Sequence, residues 1–311
     1  MDDTLNVTYI TLGGFVELQE YRYLCFMIMF TAFILIICFN VTIICLICTH
    51  RNLHEPMYIF IAALLLNSVL YSTNIYPKLL NDLLSEKQII SYSLCFFQAF
   101  VYYTLIGSEF LLLAAMAYDR YVSICKPLQY PTIMTKTTVS VFLVLAWFIP
   151  ACELAVSVAF NATIKRCSFT LKGLFCNNSF YTLQCVVSVG ISMYGMVILV
   201  NVAYFPLFFV LFTYIRILLV CYRSSNTVRR KAAQTCLPHL LVLSCLSSFG
   251  MYDAFIPRVD SHIPKTVHLI LTLQIILYHP LLNPIVYGLK MKEISQHLNK
   301  LLFSNKSHLQ C

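Results

Sequence analysis

Seven long apolar stretches leave this chain little choice of fold. They run at about Tyr23–Thr49, Met57–Leu80, Cys95–Ile124, Val139–Ala159, Ile191–Val220, Cys236–Ile256 and Val267–Leu289. Each is long enough to cross a hydrocarbon core that needs about 20 residues of helix. Inside a bilayer every backbone N–H and C=O must find its partner within the protein, so only helices or a closed barrel can span. The runs are too long for barrel strands and show no strict alternation. The expected fold is an all-α membrane protein, a seven-transmembrane helix bundle. Composition agrees, with 59% hydrophobic and only 11% charged residues, whereas soluble domains carry about a quarter charged.

The distribution of charge sets an expected orientation. The start, Met1-Asp2-Asp3, is acidic where a cleavable signal would be basic, so the first span reads as an uncleaved insertion signal. With that start outside, 13 of the 21 basic residues, including Arg229-Arg230-Lys231, fall on the inner side against three acids, while the outer side is nearly neutral. Inner loops rich in Lys and Arg are the usual arrangement. Residues 1–22 then form an extracellular N-terminus, 23–289 the membrane domain and 290–311 a cytoplasmic helix and tail. From Lys292 to Phe303 apolar residues recur at helical spacing, which suggests a short amphipathic helix on the inner membrane surface. The expected location is the plasma membrane, with several passes. No repeat relates the two halves, which disfavours a transporter built on inverted repeats.

Met116-Ala117-Tyr118-Asp119-Arg120-Tyr121-Val122-Ser123-Ile124-Cys125-Lys126-Pro127 ends the third span. Asp119, Arg120 and Lys126 give an emerging helix its polar end, and Pro127 stops it because a proline has no amide hydrogen. Three further stretches stand at matching intervals: Leu53-His54-Glu55-Pro56-Met57-Tyr58, Lys231 to Leu240, and Pro280-Leu281-Leu282-Asn283-Pro284-Ile285-Val286-Tyr287. Together these four resemble the motifs of rhodopsin-like G-protein-coupled receptors, and within them of odorant receptors.

The resemblance implies a switch at the inner face. Arg120 cannot shed its charge and needs a partner; Asp119 would hold it at rest, and a G-protein helix would meet it, beside Tyr121, once the helices part. Tyr214 and Tyr287 would then fill the opened space, with Asn283-Pro284 as hinge. Either tyrosine also reads as an ordinary membrane-interface residue. Asn40, Ser68 and Glu109 would form a polar network within the membrane. Ser68 stands where the family usually has an aspartate, which removes one ligand from a cation site, and Glu109 reads as an isolated buried acid. Phe39 replaces the family's glycine before Asn40, and Pro238 replaces a small polar residue.

Most of the 14 cysteines lie within apolar runs, where a thiol acts as a small hydrophobe. Cys95, Cys167, Cys176 and Cys185 lie on the outer side, where thiols usually pair, and four cysteines allow three connectivities. The resemblance implies Cys95–Cys176 and Cys167–Cys185. Of the Asn-x-Ser/Thr sites, Asn6-Val7-Thr8 on the outer terminus is the expected glycosylation site.

By resemblance the ligand pocket lies between the outer halves of the third, fifth, sixth and seventh spans. Counting along helix faces from the motifs suggests Tyr102, Tyr103, Ile106, Ile198, Val202, Gly250, Met251, Ala254 and Leu273, although simple helix packing explains any one of them equally well. Arg258, one turn beyond Ala254, is a candidate anchor for an acidic ligand; the plainer reading is a loop arginine paired with Asp253 or Asp260. The implied activity is binding of a small odorant and activation of a heterotrimeric G protein of the stimulatory, olfactory type, raising cyclic AMP. A rhodopsin-like receptor for another mediator is the alternative, and a ligand-gated channel or transporter a remote one. No paired carboxylates, nucleophile–base set or phosphate-cradling loop suggests an enzyme, and no cofactor, metal or nucleic-acid partner is expected.

Overall fold

A computed structural model describes residues 9–177, 183–185, 188–222, 226–259, 265–291 and 293–298. Among them run seven long helical rods. The first three are α1 (Arg22–Thr49), α2 (Pro56–Leu84) and α3 (Tyr92–Cys125). A short α4 (Tyr130–Ile133) precedes the fourth rod, α5 (Lys136–Ala162). The fifth is α6 (Val189–Leu199) joined through a π-helical turn, Val200–Tyr204, to α7 (Phe205–Tyr222). The sixth and seventh are α8 (Asn226–Val259) and α9 (Lys265–Lys290).

Local chemistry fixes several helix starts. Pro56 occupies the first turn of α2, where its missing N–H removes nothing. The Ser91 and Thr135 hydroxyls accept from the backbone N–H of Leu94 and Thr138, capping α3 and α5; such caps contribute about 1 kcal/mol each.

Among the described residues, six rods are long and apolar enough to cross a membrane: Gly13–Thr49, Pro56–Leu84, Tyr92–Cys125, Lys136–Asn161, Val189–Tyr222 and Leu269–Gly288. The sixth expected span, Cys236–Ile256, lies in α8 and falls outside that set. The side chains of its last residues, 254–256, lie outside the described ones. α8 nevertheless packs within the bundle, against α3, α7 and α9. The outer rods present exposed apolar side chains, among them Val144, Phe148, Phe208, Phe212, Ile215 and Leu219. A coat of this kind suits lipid rather than water. The molecule is a helical transmembrane bundle.

One end carries a small sheet that the apolar pattern did not suggest. β1 (Tyr9–Leu12) lies between β2 (Ile89–Ser91), antiparallel to it, and β3 (Thr170–Leu171), parallel to it. Ile10 and Leu12 point inward while Tyr9 and Thr11 face out, as strand alternation requires. Residues 9–21 are therefore an ordered strap. Gly14 lets it approach the following loop, because a Cβ there would lie 2.7 Å from the Gly173 carbonyl carbon. Two disulfides, Cys95–Cys176 and Cys167–Cys185, tie the same loop down. At the opposite end the helical residues 293–298 bury Ile294, and the Glu293 carboxylate accepts from the Tyr58 hydroxyl at 2.9 Å. Of the expected helix Lys292–Phe303, residues 293–298 are helical, and Lys292 and residues 299–303 lie outside the described ones.

Candidate functional site

A cavity of about 200 Å³ opens at the disulfide-bearing end between α3, α5, the α6–π segment and α8. Close approach of three rods shapes its base. A Cβ on Gly107 would stand 2.4 Å from the Val202 Cγ1 and 2.9 Å from the Pro150 Cβ, so only glycine lets α3 sit this near both neighbours. Val202 lies in the π-turn. Pro206 follows four residues later and has no N–H to give; widened turns of this sort recur at functional sites.

Of the residues expected at a pocket, Tyr103, Ile106, Ile198, Val202, Gly250 and Met251 line this cavity. Tyr102 does not. It is fully buried among the rings of Tyr71 and Phe175, with centroids 5.5 and 5.0 Å away. Leu273, on α9, packs against that same cluster rather than the cavity. The side chains of Ala254 and Arg258 lie outside the described residues, as do Asn6 and Asp260. Among the described residues the cavity therefore borders the fourth rod, through Leu154, Ser157, Val158 and Asn161, and not the seventh. Aromatic packing explains why: Tyr71 stacks on His279 at 4.6 Å, and the Tyr76 hydroxyl donates to the Ile276 carbonyl at 3.3 Å. These contacts close the side of α3 that faces α9.

Asp253 is the one acid among the described lining residues, and the motif-based count did not place it in the cavity. It is buried, accepting from the Tyr103 hydroxyl at 2.7 Å and from the Asn177 Nδ2 at 2.9 Å. Its position beside Gly250 and Met251 was the available signal.

At the opposite end Asp119 is buried and holds Arg120, whose Nη2 and Nε donate to its Oδ2 at 2.7 and 3.1 Å. The Tyr130 hydroxyl donates to Oδ1 at 2.8 Å. Burial, and then the Asp119 carboxylate, raise that phenol above its ordinary pKa. Tyr214 and Tyr287 are buried, and Tyr121 is half-buried. The Tyr287 hydroxyl lies 3.5 Å from the His239 Nδ1, a weak contact.

Between the two ends, the Asn283 Nδ2 donates to the Ser68 Oγ and the Glu109 Oε1, both at 2.9 Å. Glu109 is not isolated: the His279 Nε2 lies 2.7 Å from its Oε2, close but poorly aligned for a hydrogen bond. Asn40 has a defined task. Pro284 lacks the N–H that would bond the carbonyl four residues back, and the Asn40 Nδ2 donates to that carbonyl, on Pro280, at 3.1 Å. The short Cys45-x-x-Cys48 pair on α1 is exposed and free, and no group of His, Cys, Asp and Glu able to hold a metal occurs among the described residues.

Residues 25–305 match the family described as olfactory receptor. The chain belongs to the olfactory receptor family. Olfactory receptor 2T2 of Homo sapiens is 32% identical over 96% of this chain and 92% of its own length. Olfactory receptor 6B1 of Homo sapiens is 32% identical over 99% and 98%, and olfactory receptor 2T27 of Homo sapiens 32% over 94% and 93%. This is thus an odorant receptor of the G-protein-coupled type, a multi-pass membrane protein and not an enzyme.

Proposed function

We propose that a small odorant binds in the cavity among α3, α5, α6 and α8, and that its binding favours the arrangement in which the opposite helix ends part. The observation that carries this is a largely apolar cavity with a paired Asp119–Arg120 at the far end of the same helix, α3. At about 200 Å³ it is smaller than the ~300–1,000 Å³ of drug-sized pockets, which suits a small volatile. A ligand needs only differential affinity for two arrangements to shift them. When Arg120 leaves Asp119 it meets a helix of a stimulatory, olfactory-type G protein, and cyclic AMP rises. The N-terminus is extracellular, with a glycan on Asn6, and the tail is cytosolic.

Cyclic AMP in cells carrying the surface-tagged receptor and that G protein, screened with a panel of amines, alcohols and acids, tests this. A responding odorant is expected, with the response lost in Arg120→Ala at matched surface level. A current evoked by the odorant without any G protein would overturn the reading. A glycosidase-sensitive mass lost in Asn6→Gln tests the orientation; an unchanged mass would count against it.

A further inference from the structure

We propose that the cavity selects odorants carrying a basic nitrogen, small apolar amines whose ammonium group is held by Asp253. This rests on the cavity being the odorant site. Among the described residues that line it, Asp253 is the only acid, and no Lys, Arg or His joins it. The side chain is 6% exposed, so water does little to solvate a charge there. The Tyr103 hydroxyl and the Asn177 amide that hold it are neutral donors, one to each oxygen. They fix the carboxylate in place without cancelling its charge. A carboxylate offers about four acceptor positions, so each oxygen keeps one for a ligand N–H. Phe96, Phe100 and Tyr103 also line the cavity, and aromatic faces attract cations. A buried carboxylate without a counter-charge is costly, and an ammonium ion supplies the missing charge while its hydrocarbon part fills the apolar remainder. This is the reverse of the acidic ligand that Arg258 would favour, and the two readings are separable.

The test is thermal unfolding of the purified full-length receptor in lipid nanodiscs, titrated with hexylamine, hexan-1-ol and hexanoic acid. These three share a chain and differ in the head group. Charge-assisted hydrogen bonds predict that hexylamine binds about tenfold or more tighter than either other probe. Asp253→Asn should reduce hexylamine to the level of the alcohol while leaving the alcohol unchanged. The wild-type ranking needs no variant, so it stands even where Asp253→Asn fails to fold. Hexanoic acid ranking first, equal affinities, or no stabilisation by hexylamine would each overturn the proposal. Cyclic AMP separates the two failures. Hexylamine that binds through Asp253 without raising cyclic AMP leaves the site intact and removes the signalling assignment. An alcohol or acid that signals while hexylamine does not bind removes the site and leaves the receptor reading intact.

Discussion

Gly107 shows how much a single hydrogen atom in place of a side chain can decide. The Val202 Cγ1 would lie 2.4 Å from a Cβ there, and valine is stiff about its first torsion. Alanine in a helix interior normally gains about 1 kcal/mol over glycine, whereas overpacking costs about 1–3 kcal/mol. Gly107→Ala is therefore expected to lower the unfolding temperature of the purified receptor. Adding Val202→Ala should recover part of that loss, the Pro150 Cβ at 2.9 Å keeping the rest, a coupling that a double-mutant cycle reads directly. An unchanged melting point in Gly107→Ala alone would mean that the contact relaxes freely. Asn40 makes a second residue-scale case. Asn40→Ala strips the Pro280 carbonyl of its donor and should cost about 1–3 kcal/mol, the penalty for a buried unsatisfied group.

At the scale of elements, the two disulfides do different work. Cys95–Cys176 closes a sequence separation of 81 residues and ties the loop to α3, whereas Cys167–Cys185 closes 18 within the loop. Loop-closure entropy makes the longer closure worth about 1 kcal/mol more. Cys176→Ser should thus reduce thermal stability and surface expression more than Cys167→Ser; the opposite order would count against the entropic account. At the other end, Tyr130 on α4 ties that element to Asp119 on α3. Tyr130→Phe removes one hydrogen bond of about 0.5–1.5 kcal/mol from the resting arrangement. Basal cyclic AMP should rise severalfold at matched surface level, and an unmoved basal level would show that α4 has no share in holding α3 at rest.

For the whole molecule, the strap 9–21 ties the N-terminus to the rest of the disulfide-bearing end through the β2–β1–β3 sheet. Removing residues 1–12 should expose Leu171, Leu174 and Phe175 and lower the unfolding temperature; equal stability would show that the sheet is dispensable. The helical spans and the Asp119–Arg120 pair were legible in the sequence because each is set locally. Twenty apolar residues must be helical in lipid, and Asp119 is adjacent to Arg120 in the chain. The strap was not legible, since its four-residue strand exists only where β2 and β3 meet it. Nor was the meeting of Glu109 with His279, which lie 170 residues apart and approach because α9 packs on α2 and α8, both of which also pack on α3. The cavity's border with α5 instead of α9 follows from rings that stack only in three dimensions, and Asp253 turned inward because Tyr103 and Asn177 were there to receive it. Hydrocarbon solvation written along the chain determined a bundle of membrane helices, and four short motifs carried the resemblance to its family. Which faces those helices turn to one another, and so where a buried charge meets an apolar hollow, was decided by side-chain packing between segments distant in the chain.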